Sequence, residues 1–119
     1  MIYTNNMGPK SWVYDIKNYI EHKLKYKLFD RTIAAWKVGN QVYEKNRTTH
    51  EKTVKDLLKC GNISKSSKIV FLDDMKHPHM IHKNVKYIKV YAYKHDILFK
   101  TMSNKFLKSN LGIKLIKKS

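Results

Sequence analysis

The sequence predicts an α/β protein: a doubly wound, three-layer, Rossmann-like arrangement on a parallel sheet, incomplete, with one small hairpin. Three observations carry this. Strand-like and helix-like segments alternate along the chain, as they do where helices cover a parallel sheet. "KIVFL" is a continuous apolar run of the kind found in parallel strands buried on both faces. Thr4 and the pair Asp73–Asp74 fall at the carboxyl ends of predicted strands, which is where such sheets hold their ligands.

The elements follow in order. "MIYT" ends a strand, and "NNMGP" turns the chain because Asn, Gly and Pro tolerate or enforce turn dihedrals. Ser11 opens a helix along which Trp12, Ile16, Tyr19, Ile20, Lys23 and Leu24 form one stripe at three- and four-residue spacing. "LFDRTIAAWKV" is a strand or strand-like return, and "GN" at 39–40 turns it into "QVYEKN" as a hairpin. Thr48 or Thr49 caps the next helix, with Glu51 or Lys52 in its first turn and Val54, Leu57 and Leu58 on its buried face; Cys60 and Gly61 end it. "NISKSS" connects to the "KIVFL" strand, "NVKYIKVYAY" is a further strand, and Ile97 to Leu107 is the final helix before a basic tail at about 111–119.

At 119 residues the chain has the size of one domain with one core. No apolar stretch approaches the roughly 20 residues that cross a bilayer, so no membrane partner is expected. The start lacks the pattern of a secretory signal, and a lone Cys60 cannot form an internal disulfide. Both fit a reducing, cytoplasmic setting. The formal charge of +16 invites a nucleic-acid reading. Against it, only Arg31 and Arg47 stand among the 25 basic residues, whereas groove and phosphate readers exploit the forked guanidinium. The wealth of Asn, Ile, Tyr and Lys matches AT-rich coding, and a solvated basic surface is the simpler explanation.

Two adjacent carboxylates in a chain with nine acids ask for a cation to offset them. Taken together, "IYTNNMGPKSW", "RTTHEKTVKDLL" and "KIVFLDD" resemble, in order and spacing, the second, third and fourth motifs of haloacid dehalogenase-like hydrolases. The likeness spans roughly residues 1 to 96. It is strongest to the phosphatases that act on the polymerase C-terminal domain, and "DDMKHP" is similar to versions in large DNA viruses, which would place the chain in a host cytoplasm or virion. The resemblance implies that Thr4, through hydroxyl and N–H, with Asn5 beside it, binds a phosphoryl oxygen. It implies that Lys52 or Lys55 neutralises developing charge, and that Asp73, with Asp74 behind it, ligates Mg²⁺. The two lysines are one helical turn apart on the predicted helix, which leaves the choice open.

One part of that pattern is missing. The family's nucleophile is the first Asp of an Asp-x-Asp motif that precedes the other three, and no Asp-x-Asp occurs in this sequence. Without it a phosphoryl acceptor and a metal ligand are lost, so the chain alone is expected to be inactive and to hold Mg²⁺ weakly or not at all. The resemblance also puts the nucleophile strand between the strand ending at Thr4 and the strand ending at Asp73. The expectation is thus a single partial domain over 1–119: a remnant or fragment of a magnesium-dependent phosphomonoesterase, to be completed by a preceding segment or a partner chain, or remodelled and inactive. Its substrate would be phosphorylated. The rival is a non-catalytic basic protein that binds nucleic acid or an acidic partner.

Other chemistry is set aside. His77, His79 and His82 fall close together but complete no recognised zinc pattern, and read as a loop beside the acidic strand. Cys60 reads as a small buried apolar residue, and Trp12 and Trp36 as core aromatics.

Overall fold

A computed structural model of the chain describes residues 1–94 and 96–118. It is a mixed α/β protein with two short parallel strand pairs and one antiparallel hairpin. In the first pair, β1 (Ile2–Tyr3) runs beside β2 (Thr32–Ile33), with Tyr3 opposite Ile33. The crossover between them carries α1 (Lys10–Leu24), as a parallel pair requires. Helix α1 stops where Lys25 turns left-handed at φ 52°. Glu21 then pins the returning chain: its Oε1 accepts the N–H groups of Phe29 (2.8 Å) and Leu28 (3.1 Å). Those bonds, led by Phe29, hold its carboxyl below the usual range.

The hairpin joins β3 (Lys37–Val38) to β4 (Gln41–Val42) through Gly39 at φ 57°, a conformation that suits a residue without Cβ. Helix α2 (Val54–Gly61) starts later than expected. Its N-cap is Thr53, whose hydroxyl accepts the Asp56 N–H at 3.1 Å, rather than Thr48 or Thr49, and Lys52 lies before the helix instead of in its first turn. Asn62, left-handed at φ 50°, closes it.

In the second parallel pair, β5 (Ile69–Asp73) lies beside β6 (Val85–Lys89), in register from Ile69–Val85 to Asp73–Lys89. A short 3₁₀ turn, Pro78–Met80, intervenes. Ile33, Leu57, Phe71 and Met80 form the buried core, with Tyr3, Val54, Cys60, Ile63, Ile69, Val85 and Tyr87 packed around it. Alternate β5 side chains face this core, so the expectation of burial on both faces fails: Val70 and Leu72 are 60% and 61% exposed. The α1 stripe is uncovered too. Only Val13 is buried there, while Trp12, Ile16, Tyr19 and Leu24 face solvent, so Trp12 is no core residue.

The C-terminal part also departs from expectation. The helix begins at Phe99 rather than Ile97 (α3, Phe99–Leu107), and the supposed tail is a further helix, α4 (Asn110–Lys118). These two pack mainly against each other. The radius of gyration is 18.1 Å. A compact domain of this length has one of about 13–14 Å, so apolar faces that would normally meet stand apart.

Candidate phosphoryl-binding site

β1 and β5 each have one strand neighbour, on the outer side, among the described residues. The N–H groups of Ile2 and Thr4 donate to the carbonyls of Arg31, just before β2, and Ile33 on it (3.0 and 2.9 Å), which turns the backbone groups of Tyr3 the other way. On β5, Ile69 donates to Asn84 and Asp73 accepts from Val90 (2.8 and 3.0 Å), so those of Val70 and Leu72 point away from β6. Between these edges is a slot of about 370 Å³, lined by Met1 and Tyr3 on one side and Ile69–Leu72 on the other, with Leu57 and Ile63 as its floor.

Lys52 stands beyond the end of the slot, near an aromatic ring from each strand. Its Nζ stands 5.9 Å from the Tyr3 ring on β1 and 5.8 Å from the Phe71 ring on β5.

At the carboxyl ends of both strands a shallow cavity, broadly open to solvent, is lined by Thr4, Lys52, Asp73 and Asp74 together with Tyr91 and Tyr93. Lys52 donates to Asp73 Oδ2 at 2.6 Å, and the two side chains are 11% and 9% exposed. Asp73 Oδ1 accepts the Met75 N–H at 2.8 Å, with His77 Nε2 at 3.3 Å in a geometry that makes no hydrogen bond. Burial pushes the Asp73 carboxyl up, but Lys52, the Met75 N–H and the nearby His77 outweigh it and hold it below the usual carboxylate range. Asp74 is exposed beside it.

Of the residues singled out in the sequence, Thr4, Lys52, Asp73 and Asp74 therefore share one cavity. Lys55 is exposed on α2 and does not line it. The same-face ambiguity between the lysines vanishes, since Lys52 precedes the helix. The expected use of the Thr4 N–H fails because it already bonds Ile33; the Thr4 hydroxyl accepts the Asn6 N–H at 3.0 Å and keeps its own proton to donate. The Asn5 N–H makes no hydrogen bond among the described residues, whereas its side chain lines a neighbouring cavity with Trp36 and His50.

Sequence reasoning missed the residue that organises this corner. Arg47 is 2% exposed. Its Nη1 donates to the carbonyls of Thr4 (3.0 Å) and Ala34 (2.8 Å), and its Nη2 to Asn5 Oδ1 (2.7 Å) and the carbonyls of His50 (3.1 Å) and Glu51 (3.2 Å). The guanidinium lies over the Tyr3 ring at 4.9 Å and forms no ion pair among the described residues. It ties the end of β1 to the loop that delivers Lys52. Fully buried Asp56 secures that loop from the other side, accepting the Thr48 N–H at 2.9 Å and its hydroxyl at 3.0 Å. Tyr3 adds a third tie, since its hydroxyl accepts the Thr53 N–H at 3.2 Å; burial raises its pKa.

Asp74 is open, but Asp73 is already engaged by Lys52, so a cation would share it. Asp73 and Asp74 are the two carboxylates at this cavity that a cation could use. Among the described residues no group of three His, Cys, Asp or Glu side chains is placed to hold a metal. The three histidines go separate ways: His77 toward Asp73, His79 to Glu51 at 3.0 Å, and His82 Nδ1 to the Asn84 N–H at 3.1 Å. Cys60 is half-buried against the core, and burial raises its thiol pKa. No helix of the described residues is long and apolar enough to cross a membrane. No family model matches the chain, and neither a curated protein nor a solved structure does.

Proposed function

We propose that this chain carries the phosphate- and magnesium-binding half of a phosphomonoesterase site of the haloacid dehalogenase-like type, inactive until a strand bearing the nucleophilic Asp fills the slot between β1 and β5. The observation that carries the reading is the convergence of Thr4, Lys52, Asp73 and Asp74 on one cavity at the end of that slot. A strand placed there would give the order β2, β1, inserted strand, β5, β6, a continuous five-stranded sheet of the three-layer kind.

In that arrangement the Thr4 hydroxyl and the Asn5 N–H would hold phosphoryl oxygens. Lys52 would stand between the phosphoryl group and the carboxylates and offset the charge on both. Asp73 and Asp74 would hold Mg²⁺, which supplies further charge neutralisation on the phosphoryl oxygens. The Lys52–Asp73 contact keeps both charges partnered while the cavity is without a phosphate.

The test supplies a short apolar strand ending in Asp-x-Asp, joined through a flexible linker before Met1, and follows p-nitrophenyl phosphate hydrolysis with and without Mg²⁺. Expected is magnesium-dependent turnover that Lys52→Met abolishes and Lys55→Met leaves intact. A joined strand that docks, seen as protection of the Val70 and Leu72 amides from exchange, yet yields no turnover would overturn the enzymatic reading.

A further inference from the structure

The last two helices carry a surface that the phosphoryl site does not use. Ser109 sets the corner between them: its Oγ accepts the Gly112 N–H at 3.1 Å and its carbonyl accepts the Ile113 N–H at 2.9 Å. Gly112 lets the backbones meet, because a Cβ there would stand 2.1 Å from the Phe106 carbonyl oxygen. The result is a defined helical hairpin.

Both helices are amphipathic. On α3, Phe99, Met102 and Phe106 recur at spacings of three and four, so they fall on one arc with Lys100, Asn104 and Lys105 opposite. On α4, Lys114, Lys117 and Lys118 share one arc while Leu111 and Ile113 lie outside it. The apolar arcs are exposed, Phe99 by 78%. Six lysines and no acid occur from Ile97 to Lys118. A second acid-free run, 75–94, also carries five lysines, but they lie along a strand and loops rather than opposite an apolar helical arc.

Solvated lysines would account for the basic arcs alone and leave bare phenylalanines unexplained. A nucleic acid would neutralise the lysines but cover none of the apolar side chains on the other arc. An acid-rich lipid surface takes both, with apolar side chains at the acyl boundary and ammonium groups among the headgroups. We infer that the α3–α4 hairpin anchors the chain to the surface of anionic bilayers, lying in the interface plane. The expectation of no membrane partner rested on the lack of a spanning run, which a surface-lying helix does not need. This anchoring is independent of the phosphoryl chemistry.

The experiment is co-sedimentation of the full chain with vesicles of phosphatidylcholine alone or mixed with phosphatidylserine. The wild type is expected to bind the mixed vesicles and not the neutral ones. Replacing the exposed apolar pair (Phe99→Ser with Met102→Ser) and, separately, the basic arc (K114Q, K117Q, K118Q) should each weaken binding by about tenfold or more. Binding unchanged by the apolar pair would overturn the inference, since a net charge of +16 would then suffice alone. So would a preference for an oligonucleotide over the mixed vesicles. Should a variant lose helix content by circular dichroism, Phe99→Trp in vesicles with brominated acyl chains decides instead: quenching of the added tryptophan supports insertion, and its absence overturns it.

Discussion

Replacing Arg47 with methionine should unfasten the corner that brings Thr4 and Lys52 together. Methionine keeps much of the volume and removes every donor. The groups left behind are the carbonyls of Thr4, Ala34, His50 and Glu51, which no substitution can delete. For that reason the usual tolerance for swapping a buried charge against an apolar residue does not extend here. Each buried acceptor left without a donor costs about 1–3 kcal/mol, and with partial relaxation the four carbonyls together should cost about 3–5 kcal/mol. With a urea slope of about 2 kcal/mol per molar for a chain of this size, the unfolding midpoint should fall by about 1.5–2.5 M. Arg47→Lys should recover less than half of this, because a single ammonium lacks the fork that spans both carbonyl sets. Urea denaturation followed by circular dichroism is the assay. A midpoint for the Arg47→Met variant within about 0.3 M of wild type, a difference worth about 0.6 kcal/mol, would refute the role given to Arg47.

The remaining predictions concern single contacts. The Asp73 carboxyl is held below its unfolded value, so its contribution to stability is full above the ordinary carboxylate range and is lost as pH falls through the folded-state value. Asp73→Asn should accordingly flatten the acid limb of a stability-against-pH curve below about pH 4, and an unchanged limb would contradict the Lys52–Asp73 pairing. Asp56→Ala strips Thr48 of two partners and should destabilise by about 1–3 kcal/mol, measured by the same denaturation. Gly112→Ala places a methyl against the Phe106 carbonyl and should open the α3–α4 corner, visible as lost protection of the Ile113 amide in hydrogen exchange; protection equal to wild type would contradict the close approach.

How far these features can be read in advance depends on how local their causes are. The α1 helix, the Gly39 turn and the twin acids at the end of β5 follow from spacing and turn chemistry over a few residues, and each lies where its sequence puts it, although the α1 stripe itself is left uncovered. The start of α2 is harder to place although Thr53-x-x-Asp56 carries a helix-start signature, because Thr48 and Thr49 offer equivalent hydroxyls upstream. Helix α4 is masked by its lysines, yet Ser109 as cap and the Leu111–Leu115 spacing are signals for it. Arg47 acts through carbonyls far apart in sequence, which no local pattern reports. One clue exists: in a chain that uses Lys almost everywhere, one of only two arginines marks a place where a planar fork is needed. The exposure of Val70 and Leu72 depends on whether another element covers their face of β5, which the apolar run "KIVFL" does not report.

The most direct measurement is an amide nitrogen–proton correlation spectrum of the full chain, titrated with inorganic phosphate in the presence of Mg²⁺. If one cavity binds both, the amides of Thr4, Asn5, Lys52, Asp73 and Asp74 shift along a common saturating isotherm, and Mg²⁺ tightens the phosphate response. Shifts confined to the lysines of α3 and α4, or different isotherms for the β1 and β5 ends, would mean that these groups do not act as one site.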